Sequence, residues 1–315
     1  MNRYMSEILI KFFAGSLILL ASTQFLVNYA KKISLALKIS PLIIGFTIVA
    51  IGTSLPELSF SLTALFKQDV GLAMGNIVGS NVVNILFVFA VGILIGKLRV
   101  GTSKTQRNSM FLLLATALFV ALQLTQVPAK ISGLILISSA ILITLIEYFM
   151  GVLGRKNEDK KMFAKKQKIE INSSLLVMPL FLIVGVIIGS LMAVSAIEEF
   201  SLITNISTTV IGLSLTAIVT SLPELLTTIF SQEEHQAKLT MGNILGSNIY
   251  NLLLIGGLIN LFSGKNGMTI KDWVVMLFVT GLFLFILHKY SGKNIPKKYG
   301  VILLIFFIVY LVNLG

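Results

Sequence analysis

Two glutamates, Glu57 and Glu224, lie inside long apolar runs, each directly after a proline. A charged residue at the centre of a bilayer costs ~2.5–3.5 kcal/mol even on the lenient insertion scale, and such residues mark ion or proton pathways. Their surroundings match. Residues 43–57 read IIGFTIVAIGTSLPE and residues 210–224 read VIGLSLTAIVTSLPE. Pro56 and Pro223 each remove a backbone donor and disfavour helix at the residue before. Broken helices with freed carbonyls are expected there, tolerated in hydrocarbon only where protein or a water-filled cavity satisfies them. Those carbonyls and the hydroxyls of Thr53, Ser54, Thr220 and Ser221 make a set of hard oxygen donors.

A second pair of blocks follows. Residues 75–84 read GNIVGSNVVN and residues 242–251 read GNILGSNIYN. Gly75 and Gly79, like Gly242 and Gly246, fall on one helix face and let another helix approach closely. Ser80 with Asn84, and Ser247 with Asn251, are also four apart and aim oxygens in one direction. Their natural target is the span carrying the glutamate. Packing alone would account for glycine pairs, and simple kinks for prolines. Two carboxylates at equivalent positions need a further reason. Glu57 to Glu224 and Gly75 to Gly242 are both separated by 167 positions (224 − 57 and 242 − 75). One constant offset through both motifs is the signature of a duplicated unit.

The elements that must position these residues are apolar helices. Of 315 residues 56% are hydrophobic and 12% charged, with a mean hydropathy of +0.94. Soluble domains carry about 25% charged residues. Ten runs are long enough to span a bilayer: roughly 8–30, 41–66, 71–96, 109–127, 131–152, 174–196, 208–231, 238–263, 272–288 and 299–314. They are continuous rather than alternating, which excludes a β-barrel. Each unit then holds five spans, an odd number, so the second enters the membrane from the opposite face. The expected architecture is an all-α membrane protein of ten transmembrane helices. Two inverted five-helix repeats, 1–152 and 174–315, are joined by a linker loop at 153–173. Substrate sites in such proteins lie near the midplane where the repeats meet. Residues 1–30 read as a true span rather than a cleaved signal peptide, since the run is long, carries Glu7 and Lys11, and completes the repeat.

A net charge of +12 would suggest nucleic acid in a soluble protein, but nineteen of the twenty-five lysines and arginines fall in connections on one face of the ten-span arrangement. That bias marks cytoplasmic loops. It places the 153–173 loop, with Lys161, in the cytoplasm and both termini outside. Glu147 lies near the cytoplasmic end of its span and is expected to snorkel toward Arg155 and Lys156. Glu198, Glu199, Glu233, Glu234 and Asp272 read as solvated charges at span ends. With no cysteine, and with His235 and His288 far apart, thiolate and zinc sites are excluded. No phosphate-binding loop, nucleophile–base pair or redox motif is present, which argues against an enzyme.

The paired GTSLPE-type and GNxxGSN blocks resemble the calcium/cation antiporter superfamily, the sodium/calcium exchangers and their prokaryotic relatives, over essentially the whole chain. The resemblance implies counter-transport of Ca2+ against Na+, or H+, by alternating access in a cell membrane. Ca2+ and Na+ would be substrates rather than cofactors. It further implies a calcium site at Thr53, Glu57, Thr220 and Glu224. Flanking sodium sites would use the backbone oxygens of Ala50 and Ala217 with Ser80 and Ser247. Ser54, Ser221, Asn84 and Asn251 would line the middle. The residues agree about the ion, since Ca2+ prefers six to eight hard oxygens including carboxylates. Two departures stand out. Val219 occupies a position where the family usually has glycine, and a β-branched residue there restricts the backbone beside one sodium site. Asn251 stands where potassium-dependent relatives place an aspartate, which argues against K+ co-transport. A Ca2+/H+ exchanger and a passive cation channel are the rival functions.

The sidedness is directly testable. Single cysteines introduced at positions 2, 161 and 315 of this cysteine-free chain should report it to an impermeant maleimide. In intact cells positions 2 and 315 should label and 161 should not; the reverse pattern would overturn the orientation.

Overall fold

A computed structural model describes residues 2–36, 46, 49–96, 98–101, 103–153, 173–233, 237–263 and 268–314. Most of the expected linker, with Lys161, lies outside the described residues, as do residues 41–45, 47 and 48 of the second expected span and His235. The described chain is helical. Helix α1 spans Asn2–Ala36, followed by α2 (Ala50–Thr53), α3 (Leu55–Phe66), α4 (Val70–Ile95), α5 (Ser103–Leu124), α6 (Ala129–Leu153) and α7 (Ser173–Thr204). Then come α8 (Thr208–Ile211), α9 (Ala217–Thr220), α10 (Leu222–Glu233), α11 (Ala237–Ser263), α12 (Ile270–Lys289) and α13 (Lys297–Val312). Among the described residues eight helical stretches are long and apolar enough to cross a membrane, with α8 to α10 and the π-helical turn Gly212–Thr216 between α8 and α9 forming one of them, Thr208–Glu233. The other two expected spans appear as shorter pieces, the 12-residue α3 behind α2, and the 16-residue α13.

Burial ranks the helices. Helices α4 and α11 are buried over most of their length, whereas α6 and the start of α1 are largely exposed. The two glycine-motif helices therefore form the centre, and Leu, Ile and Phe side chains on the outer helices face outward, as lipid requires. The pair α1–α7 packs along its length through Gly15, Gly185 and Gly189. A Cβ at Gly189 would lie 2.7 Å from the Gly15 carbonyl oxygen. Close backbone approach through small residues is the usual basis of helix association in membranes.

The central contacts cross between the two halves of the chain. A Cβ on Gly79 of α4 would come within 2.7 Å of the Leu213 carbonyl oxygen and of the Ala217 Cβ. A Cβ on Gly246 of α11 would come within 2.4 Å of the Phe46 carbonyl oxygen and 2.6 Å of the Ala50 Cβ. The glycine face of each motif helix thus receives the segment just before the other half's threonine. The sequence expectation was a close approach; the structure identifies the partner.

Charged residues expected near span ends make specific contacts. Lys11 pairs with Glu199 at 2.7 Å and Lys67 with Glu198, so these glutamates are paired rather than simply solvated. They also lie inside α7, which continues to Thr204 beyond the expected end of its span. Asp272 closes a capping box with Thr269 at the start of α12. Elsewhere the connections before α5 and α13 meet. The Val100 N–H donates to the Lys293 carbonyl at 3.0 Å and the Ile295 N–H to Leu98 at 3.1 Å.

Gly79→Leu should lower the melting temperature in detergent, because overpacking a tight contact costs about 1–3 kcal/mol. Gly281→Leu is the control. Nothing lies within 4 Å of a Cβ at Gly281, so its melting temperature should hold or rise slightly.

Candidate functional site

The expected breaks at Pro56 and Pro223 are one residue wide. Ser54 (φ −83°, ψ 4°) ends α2 and precedes α3, and Ser221 (φ −82°, ψ 4°) does the same between α9 and α10. A ψ near zero leaves the helical region, whose usual value is about −42°. Yet the Ser54 N–H still reaches the Ala50 carbonyl at 2.9 Å, and the Ser221 N–H reaches Ala217 at 3.1 Å. The carbonyls of Ala50 and Ala217 are therefore engaged rather than freed. The Thr53 hydroxyl also lies 3.2 Å from the Ala50 oxygen, within reach of its second lone pair. A carbonyl oxygen has two lone pairs, so the Ala217 oxygen keeps one for another partner.

Around these turns the side chains form one buried oxygen cluster. The Ser221 hydroxyl donates to Glu57 Oε1 at 3.3 Å, and the Ser54 hydroxyl to Glu224 Oε1 at 3.5 Å. Each carboxylate is thus held by the serine that stands three residues before the other one. Ser247 adds a second donor to Glu224 Oε1 at 3.1 Å. The hydroxyls of Thr53 and Ser247 lie 3.2 Å apart, and those of Thr220 and Ser80 3.3 Å apart. Residues separated by 167 positions make matching contacts.

All of the side chains in this cluster are buried. Glu57 and Glu224 have no exposed surface, and the second carboxylate oxygen of each has no protein partner. Among the described residues no lysine or arginine pairs with either carboxylate. Asn84 and Asn251 are also fully buried, with neither amide atom hydrogen-bonded to protein. Each opens a π-helical turn, Asn84–Val88 in α4 and Asn251–Ile255 in α11. Such turns within α-helices concentrate at functional sites.

Two further residues belong to the cluster and were not singled out from sequence. Asn76 Oδ1 accepts from the Thr220 hydroxyl at 3.1 Å, and Asn243 Oδ1 from the Thr53 hydroxyl at 3.1 Å. Asn76 also donates to the Ser61 hydroxyl at 3.1 Å and the Glu57 carbonyl at 3.4 Å. Their signal was present: each is the N of its GNxxGSN block, 167 positions from its twin. Val219 fits better than expected. Its counterpart Gly52 has nothing within 4 Å of an added Cβ and no left-handed φ, so the position does not require glycine. The backbone is helical through both.

Glu147 corrects the sequence reading. It does not reach toward solvent. It is fully buried and accepts from Arg107 Nε at 2.8 Å and Nη2 at 2.5 Å. Asn108, with its amide turned to donate, adds a contact at 2.7 Å. This ion pair joins α5 to α6 outside the oxygen cluster.

The model of the family described as sodium/calcium exchanger protein matches residues 8–153 and 174–314. The chain belongs to that family. It is 31% identical over 310 residues to the inner membrane protein YrbG of Escherichia coli (strain K12), covering 95% of this chain and 94% of YrbG. It is 28% identical over 337 residues to the sodium/calcium exchanger MaX1 of Methanosarcina acetivorans, covering 95% and 96%. A solved structure of the sodium-calcium exchanger NCX_Mj, soaked with 100 mM Na+ and 10 mM Sr2+, superposes with a TM-score of 0.74 at 26% identity. That match covers 99% of each chain. The protein is a membrane transporter of this fold and not an enzyme.

The Arg107–Glu147 pair is open to test. Arg107→Ala leaves a buried carboxylate uncompensated, at a cost of about 3–5 kcal/mol. The melting temperature in detergent should fall sharply, and adding Glu147→Gln should restore part of the loss.

Proposed function

We propose that this protein is a secondary antiporter that exchanges Ca2+ for Na+ across the cell membrane by alternating access. The carrying observation is the pair of buried carboxylates, each hydrogen-bonded by a serine of the other half and neither paired with a lysine or arginine among the described residues. An unpaired buried charge is prohibitively costly, so the pair calls for a mobile counter-charge. A divalent ion with two carboxylates is neutral. The hydroxyls of Thr53, Thr220, Ser54 and Ser221, with the amides of Asn84 and Asn251, supply the remaining hard oxygens that Ca2+ prefers.

Sodium would use the same cluster differently. The Ala50 and Ala217 carbonyl oxygens with Ser80 and Ser247 would complete flanking sites. Glu57 and Glu224 would serve both ions, so that occupancy by one excludes the other. That mutual exclusion is what couples the fluxes. Ion binding moves the transporter between states only through differential affinity. In this reading the units 1–152 and 174–315, each with five spans, are inverted with respect to one another, and their exchange of roles opens the cluster first to one side and then to the other. The 153–173 segment is the cytoplasmic linker, and both termini lie outside.

A Ca2+/H+ exchanger is the second reading, because a carboxylate in apolar surroundings can also be neutralised by a proton. One assay separates the possibilities. Purified protein in Na+-loaded proteoliposomes should accumulate radiolabelled Ca2+ against its gradient, with no dependence on K+. Uptake driven by a pH gradient without Na+ would establish the proton reading, and purely downhill Ca2+ movement would establish a channel. Glu57→Gln and Glu224→Gln should each abolish uptake while the protein remains folded by size-exclusion chromatography. Wild-type rates in either variant would remove the carboxylate pair from the mechanism.

A further inference from the structure

Beyond Glu224 the second half carries a polar file that the oxygen cluster does not use. Thr227, Thr228 and Ser231 follow Glu224 at the spacing of one helix face. All three are buried, at 2%, 0% and 0% exposure, and their hydroxyls bond to no protein atom. This is unusual for the molecule. Thr63, Thr116, Thr144 and Ser214 return their hydroxyls to the carbonyl four residues back, at 2.7–2.8 Å. A hydroxyl in a membrane helix has that partner within reach unless it is turned elsewhere.

Thr228 and Gln232 of this helix face stand at a seam between α10, the end of α4 and the start of α11. Gly92 of α4 stands opposite Thr228, where an added Cβ would lie 2.9 Å from its methyl group. Gly96 stands opposite Gln232, where an added Cβ would lie 2.3 Å from the amide oxygen. Gln232 closes the file by donating to the Thr240 hydroxyl at 2.8 Å. Buried polar groups are satisfied by protein or by water, and these side chains find too little protein.

The first half has no equivalent. Positions 167 residues earlier are Phe60, Ser61, Ala64 and Leu65, and the glycines at 92 and 96 correspond to Ile259 and Ser263. Ser61 is satisfied, donating to the Ala73 carbonyl at 3.5 Å and accepting from Asn76. The duplicated chain has therefore become polar along one path out of its centre and apolar along the other.

We propose that the seam lined by Thr227, Thr228 and Ser231 is a hydrated route by which a monovalent cation passes between Glu224 and the end of the molecule bearing Gln232, with the Gln232–Thr240 contact as its closure. Neutral hydroxyls and one amide suit a single charge, whereas a divalent ion would call for carboxylates along the way. The identity of the cargo rests on the exchange reading; the existence of the route does not.

Because the chain has no cysteine, T227C, T228C and S231C can be compared with A64C and F60C. The probes are a positively and a negatively charged methanethiosulfonate reagent. The three file positions should react at least about tenfold faster than A64C, since a hydrated seam needs far less local opening than a packed one. The cationic reagent should outpace the anionic one, and Na+ should slow modification. Equal rates at 64 and 231, no preference for the cationic reagent, or indifference to Na+ would each overturn the proposal. The Thr→Cys and Ser→Cys changes are nearly isosteric, and A64C serves as a control even if F60C misfolds. Modification needs no transport, so failed Ca2+ uptake would sink the exchange reading and leave this result to be judged separately.

Discussion

The constraint on which this molecule depends is that two carboxylates share its buried centre, with no lysine or arginine among the described residues to balance them. Everything near them serves to make that arrangement tolerable. Hydroxyls from both halves point at the carboxylates, the carbonyls of the interrupted helices are kept in partial use, and the two most buried helices contribute asparagines on either side. Because each carboxylate leans on a serine of the opposite half, neither half holds a complete cluster alone. Both halves are therefore needed to complete the cluster.

The close packing of the halves follows from the same demand. Oxygens from four separate helical segments can converge only if the backbones approach closely, which Gly79 and Gly246 permit by leaving no side chain in the way. A single methyl group at either contact would push the threonine and serine of the facing segment away from their partners. The glycines and the glutamates are thus parts of one device.

Much of this was legible in the sequence. The helical membrane class followed from continuous apolar runs, and the residues of the cluster stood out because two charged motifs recur at one spacing. What the chain could not reveal was the pairing between halves. Nothing in the order of residues says that Ser221 reaches Glu57 and Ser54 reaches Glu224, since register across an interface is a property of packing. Glu147 was misread for a related reason: its partner Arg107 is 40 positions away on another helix, while Arg155 and Lys156 are near neighbours in sequence. The end of α7 was placed too early because Glu198 and Glu199 read as termini, whereas ion pairs let the helix continue past them. The prolines interrupt less backbone than expected, because the turn at each serine preserves the bond to the alanine behind it.

The π-helical turns at Asn84 and Asn251 carry one further consequence. Each amounts to an inserted residue, which an uninterrupted α-helix of the same rise would not contain. Removing that residue from α4 would rotate everything after it by about 100°, the angle between successive α-helical positions. Gly92 would swing away from Thr228, and a bulky neighbour would take its place. The local phase slip at Asn84 therefore does two jobs at once: it sets the angle of an asparagine at the centre, and it indexes the outer half of the helix so that its glycines meet α10.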